Sequence, residues 1–288
     1  MNQPMEILGI GAVTPLGRDL TAIAGQLRDR GCNPPHGVRA NEELLVDPAI
    51  SRRMRRADRF SRMAAVAALD AWKQAAHACD GIERERIGLI VTSSFGPHCR
   101  GFRFLDGLLD CGDSAASPTD FSHSVHGTAA AYITELLELR GPSLSTTDFE
   151  AGFEEAVLLA QCWLAEQTCH RVLVGAVEEL GDVMLHCVGR MIAPEGPTIL
   201  GEGALFFMLG PRTAGAVGSL LATTGASRRT PGGADDSQHL LCRSATDSAF
   251  RMLAALLSPD AENPAVVGAS PGLRETVLIV SRQSPKKS

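Results

Sequence analysis

Residues 141–175 read GPSLSTTDFEAGFEEAVLLAQCWLAEQTCHRVLVG. The order is an extended segment, a sharp Thr/Asp turn, a long apolar-periodic segment and a β-rich run that ends in glycine. It predicts strand, elbow, buried helix and strand. Thr147 and Glu150 have the T-x-x-E spacing of a capping box, which predicts a helix starting near Phe149. Phe153, Ala156, Val157, Ala160 and Leu164 then mark one helix face, and Leu158, Leu159 and Trp163 put apolar bulk on the other side, so the helix is expected to be buried nearly all round. A buried helix entered through a tight elbow can present a nucleophile, because its free N–H groups and its dipole stabilise a thiolate or an oxyanion. This elbow presents Phe149 between Asp148 and Glu150.

The 288 residues are 44% hydrophobic and 21% charged, the balance of a soluble globular protein with a sizeable core. No apolar run reaches the roughly 18 to 20 residues of a spanning helix, and the N-terminus lacks the basic-then-apolar layout of a secretory signal, so no membrane association and a cytoplasmic location are expected. Eight cysteines without a C-x-x-C pair fit reduced thiols better than a disulfide framework. His77-x-Cys79, His98-Cys99 and His123-x-x-His126 are the close ligand-type pairs, and their spacing predicts ordinary core or loop residues rather than a metal site. A net charge of −6 argues against bulk nucleic-acid binding.

From the N-terminus, Met5 to Gly17 reads as a strand entering a glycine turn. Gly9-x-Gly11 invites a dinucleotide reading, but Thr14 stands where a third glycine should be and Pro15 follows, so no cofactor is expected. A short helix and a loop follow over about 22–50. The basic run Arg52, Arg53, Arg55 and Arg56 is either a solvated face or a docking patch for an acidic partner. Next comes a helix with Phe60, Met63, Ala64, Ala67 and Ala71 on one side, residues small enough for close packing on a sheet. Ile87 to Thr92 is a buried strand, and Ser93, Ser94, His98 and Cys99 are expected in a polar loop. A helix is expected over Thr128–Leu139 and a strand over Leu205–Leu209. Thereafter the pattern predicts strands at Val217–Gly225, Ala265–Ala269 and Thr276–Ser281 and a helix at Asp247–Leu257.

Gly268-Ala269-Ser270-Pro271-Gly272 is formally G-x-S-x-G, the nucleophile elbow of α/β-hydrolases. Proline after the serine has no N–H for an oxyanion, no histidine follows, and residues after Arg282 are a polar tail, so this reading fails.

The elbow with its flanks, Gly9-x-Gly11-x-Val13-Thr14-Pro15-x-Gly17, the run Arg56 to Arg62, and Gly201-Glu202-Gly203-Ala204 together resemble the β-ketoacyl synthases of the thiolase-like superfamily. Pro118 to Gly127 is similar to a stretch of the short ketosynthase-like proteins that accompany aryl-polyene pigment pathways. The resemblance implies an α/β thiolase-like fold, a mixed sheet flanked by helices, with a complete N-terminal half over 1–215, an abbreviated C-terminal half over 216–282 and a polar tail over 283–288. It places Phe149 in the slot of the family's cysteine. The later strand end that should carry an H-G-T histidine reads Gly268-Ala269-Ser270, and no histidine follows His239. The implied function is that of a non-condensing, chain-length-factor-like subunit in polyketide or polyene biosynthesis. Its implied partners are a cysteine-bearing ketosynthase, as a heterodimer, and an acyl carrier protein met by the arginine run. The alternatives are an acyl hydrolase or acyltransferase with another nucleophile, and a stand-alone acyl-binding or scaffold protein.

Overall fold

The computed structural model describes residues 3–29, 38–48, 50–149, 151–191, 201–213, 215–226, 245–257, 265–267 and 274–282. Its first strand, β1 (Met5–Val13), is buried at every position. β1 feeds both cores, Leu8 and Val13 one apolar cluster and Ile7 and Ile10 the other, its alternation shifted by an irregularity between Ile7 and Gly9. After α1 (Leu20–Asp29) and a 3-10 turn at Glu42–Leu45, α2 (Arg59–Gln74) crosses the sheet. Its cap is Asp58, whose carboxylate accepts from the Ser61 amide at 2.9 Å. Phe60, Met63, Ala64, Ala67 and Ala71 are all buried, as the pattern required. The close approach is mutual. A methyl group on Gly9 would stand 2.2 Å from Ala71 O, and one on Gly11 would stand 1.9 Å from Ala67 O, so the glycines of β1 exist to admit the alanine face of α2.

After the short helix α3 (Ala76–Cys79), β2 (Ile87–Ser93), β3 (Ser143–Thr147) and β4 (Arg171–Glu178) pair in parallel, while β5 (Gly203–Gly210) is antiparallel to both β4 and β1. Between β2 and β3 the chain makes an excursion of three helices, α4 (His98–Cys111), α5 (Pro118–His123) and α6 (Thr128–Leu137). The helix α7 (Gly152–Ala165) links β3 to β4, and α8 (Asp182–Met191) follows β4. β6 (Gly218–Ala226), α9 (Ala245–Leu257), β7 (Ala265–Val267) and β8 (Arg274–Arg282) complete the described chain. The sheet order is β3-β2-β4-β5-β1-β6-β8-β7. Every strand expected from the sequence is present, with ends moved by a few residues.

The sheet is joined narrowly at one point. β1 pairs with β6 only through Met5, Glu6 and Ile7, whereas β6 and β8 pair over nine consecutive positions, Gly218–Ala226 against Arg282–Arg274. The helices α7 and α9 pack against both arms of the sheet. Phe153, Val157 and Ala160 of α7 and Phe250 and Leu253 of α9 share one apolar cluster with Val172, Val174 and Phe207 of one arm and Leu220, Leu278 and Val280 of the other. Within α7 only Glu155 and Ala165 are exposed. Its two buried polar side chains are satisfied across the same layer: Gln161 exchanges hydrogen bonds with the Ala222 backbone at 3.0 and 3.1 Å, and Glu154 accepts from the Ser248 hydroxyl at 2.6 Å.

Two expectations need correction. The helix begins at Gly152 rather than near Phe149, and its cap residue, Ala151, has no side-chain cap bond. The reason is Asp148, whose carboxylate takes the Ala151 amide at 2.6 Å and so ties Ala151 back to the elbow ahead of the helix. Thr147 remains the last residue of β3, and Glu150, its partner in the expected capping box, lies outside the described residues. Second, Ser93, Ser94, His98 and Cys99 do not form a polar loop: both serines are buried at the end of β2, and His98 and Cys99 open α4. Gly268–Gly272, His239 and the tail after Arg282 lie outside the described residues.

Candidate active-site elbow

β3, β2 and β4 run parallel and deliver their C-terminal ends side by side, the position where α/β sheets collect ligands and reactive groups. The elbow after Thr147 sits at one end of this row, Ser93 and Ser94 in the middle, Glu178 and Glu179 beyond. Phe149 stands at the tip of the elbow with 51% of its surface exposed, packed edge-on against Phe95 at 5.3 Å between ring centroids. The loop is fixed from beneath, since the Ser94 hydroxyl donates to Asp148 O at 3.0 Å. A phenyl ring has no lone pair and no proton to exchange, so this side chain can offer a surface for apolar contact and no covalent chemistry.

Sequence reasoning missed the carboxylates under the elbow. Glu178 is fully buried. It accepts from the Ser94 amide, from the Phe95 amide at 3.2 Å and from the Ser93 hydroxyl at 3.1 Å, while the Gly96 amide donates to the same hydroxyl oxygen at 2.7 Å. Burial pushes its pKa up to about 7 even against these donors. Glu178 thus ties the turn bearing Phe95, and through Phe95 it supports Phe149. Glu202 is the second such anchor. Arg59 grips it at 3.0 and 2.6 Å, and the amides of Ala40 and Leu180 donate to it at 2.6 and 3.1 Å, which locks the start of α2, the end of β4 and the turn before β5 together. The signal that could have found both is a charged residue at the end of an otherwise apolar strand, as in Val172 to Glu179, or between two glycines, as at Glu202.

The arginine run lies elsewhere. Arg52, Arg53, Arg55 and Arg56 are all exposed in the turns before α2. Arg53 reaches the C-terminal end of α6, donating to Leu136 O at 3.2 Å and pairing with Glu138 at 3.8 Å, so part of its charge serves that helix end. It thereby adjoins a groove of 760 Å³ between α6 and β3, lined among others by Ala131, Glu135, Glu138, Arg140 and Ser145. β3 forms the outer edge of the sheet, pairing with β2 on one side only. Among the described residues no helix is long and apolar enough to cross a membrane.

The family model for the β-ketoacyl synthase N-terminal domain matches residues 37–188, just over half of the chain. Nodulation protein E of Rhizobium sp. (strain N33) is 30% identical over 176 residues, covering 56% of this chain and only 43% of that protein. Among solved structures, the ishigamide ketosynthase/chain length factor superposes with a TM-score of 0.75 at 15% identity, covering 98% of this chain and 100% of that one. The Xenorhabdus doucetiae ketosynthase (ApeO) in complex with its chain length factor (ApeC) gives 0.66 at 17% identity, covering 97% and 100%. At these identities the superpositions speak for the fold, which is thiolase-like. Since the family model covers more than half of the chain, the chain belongs to the β-ketoacyl synthase family through its N-terminal domain.

Proposed function

We propose that this chain is a non-condensing, chain-length-factor-like partner subunit of a cysteine-bearing ketosynthase in polyketide or polyene assembly. The observation that carries the proposal is Phe149, a half-exposed phenyl ring at the tip of the family's elbow. One substitute nucleophile beside the turn that supports the elbow is Cys99, but desolvation of its sulfur and the adjacent Glu179 push its pKa up to about 12, which disfavours the thiolate at neutral pH. That favours the partner reading over an acyltransferase with another nucleophile.

The partner surface in this reading is the open edge of β3 with the groove beside it. An obligate heterodimer would bury on the order of 2,000 Å² or more there. The arginine run, at the C-terminal end of α6, is the surface for an acyl carrier protein, with an attraction that weakens as salt screens it beyond about 8 to 10 Å. The division proposed with it is a ketosynthase-like half over 1–215 and a short second half over 216–282, a reading supported by the narrow β1–β6 pairing. A cytoplasmic location belongs to the same proposal.

The test is co-expression with cysteine-bearing ketosynthases followed by light scattering. The expected result is a heterodimer that Ala131→Arg, placed on the exposed face of α6 in the groove, abolishes while the chain stays folded. A persistent monomer beside every such ketosynthase overturns the proposal. Phe149→Cys is expected to give a thiol that reacts with iodoacetamide, because it sits ahead of the α7 N-terminus, and still no turnover of malonyl-carrier to ketoacyl product.

A further inference from the structure

His98, Cys99 and Glu179 come from two segments that the sequence separates by 80 residues, and the fold brings them together between the start of α4 and the end of β4. A ring nitrogen of His98, the sulfur of Cys99 and a carboxylate oxygen of Glu179 lie within 4.8 Å of one another. None of the three is needed to explain the elbow. We propose that they form a binding site for a soft divalent cation of the zinc class, with water as the remaining ligand.

The geometry of each donor supports this. His98 Nδ1 lies 3.2 Å from Gly96 O, and since a carbonyl only accepts, Nδ1 carries the proton and Nε2 carries the lone pair. A histidine whose far nitrogen is held by a carbonyl is the arrangement that orients imidazole toward zinc. Glu179 is buried, and its carboxylate takes the Cys99 amide at 2.7 Å with one oxygen, which leaves the other for a metal. Cys99 itself is exposed, so ions reach the site from solvent. Gly181 closes the back of the cluster. A methyl group there would fall 2.8 Å from both Cys99 Sγ and His98 Nε2, so glycine keeps the space between these two donor atoms open.

Binding is balanced by one proton. The metal takes the Nε2 lone pair that now receives the Gly181 amide at 3.1 Å, the Cys99 S–H bond breaks, its electron pair goes to the metal and its proton leaves to water. The charge of the metal itself stabilises a thiolate that Glu179 alone would oppose, and the mix of nitrogen, sulfur and oxygen donors selects zinc over calcium or magnesium. The nearby anions are already committed, Glu202 to Arg59 and Asp182 to Arg39, which leaves Glu179 as the carboxylate that meets the ion.

The test uses the full chain, stripped with chelator and titrated with cobalt(II). One equivalent is expected to bind with a thiolate-to-cobalt charge-transfer absorption that zinc then removes. Cys99→Ser should abolish that band, and His98→Ala should weaken zinc binding by more than about 100-fold. Absence of the band in the unmodified chain, or its full persistence in Cys99→Ser, overturns the proposal. Should Cys99→Ser fail to fold, maleimide labelling of the unmodified chain decides. Zinc is expected to protect Cys99 and leave the exposed Cys111 reactive, and equal labelling of Cys99 with and without zinc overturns the site.

Discussion

The helices α2 and α4 have similar lengths and similarly segregated apolar residues, yet ten residues of α2 are buried and none of α4 is. α2 is held by fit: its alanine face enters the space left by Gly9 and Gly11. α4 is held by tethers. Cys99 N donates to Glu179, Gly181 N donates to His98, and Arg100 binds Asp120 at 2.7 Å, while Leu105 and Leu109 stay 50% and 83% exposed. The difference teaches that the body of the protein, α6 included, is stabilised by packing and that α4, beside the elbow, is positioned by polar bonds with little packing energy of its own.

The strongest way to break this comparison is Phe60→Ala at the start of α2. It removes a fully buried ring and is expected to cost about 4 kcal/mol in urea denaturation, and a loss under about 1 kcal/mol would mean the α2 layer is not close-packed.

Next in size is the pH response of the tethers. Glu178 and Glu179 both have a folded pKa raised to about 7 by burial, so between about 4.5 and 7 the folded chain holds more protons than the unfolded one, and stability falls as pH rises through that window. His98, whose pKa burial lowers, works in the opposite direction below about 6.5. The two carboxylates outnumber it, and denaturation at pH 5 and pH 7.5 is expected to show a stability lower by about 2 kcal/mol at the higher pH. A rise across the same interval would remove the tether account.

Smaller still is Arg100→Ala, which breaks a partly exposed ion pair to Asp120. About 1 kcal/mol or less is expected globally, together with faster amide exchange confined to residues 98–123. Leu109→Ser sharpens the contrast at its far end. Its stability should change by less than about 0.5 kcal/mol, because the side chain it truncates is already in solvent.

Legibility in the sequence follows the same line. β1, β2, β4 and β5 were readable as short apolar runs because both of their faces are buried, and α2 because its alanine face repeats with the helical period. The elbow was readable as a feature, but its helix start was misplaced, since T-x-x-E spacing carries no information that Asp148 would take the Ala151 amide first. α4 escaped notice although its apolar residues are segregated like those of α2, because the polar cluster Ser93, Ser94, His98 and Cys99 at its start reads as a loop. The anchors at Glu178 and Glu202 and the cluster of His98, Cys99 and Glu179 depend on contacts between distant segments, and a local pattern of one or two residues does not encode them.

An eight-stranded sheet has two ends, and here they are β3, five residues long, and β7, three. Strand ends with unpaired backbone groups are templates on which other chains can stack, and long apolar ones seed aggregates. β3 reads Ser-Leu-Ser-Thr-Thr, so its side chains offer a stray strand little apolar surface, and its length limits it to a few backbone bonds. A chance neighbour therefore gains too little to stay. In the proposed heterodimer, a surface that also fills the α6 groove would gain contact on that edge which a chance strand, meeting only the backbone of β3, does not.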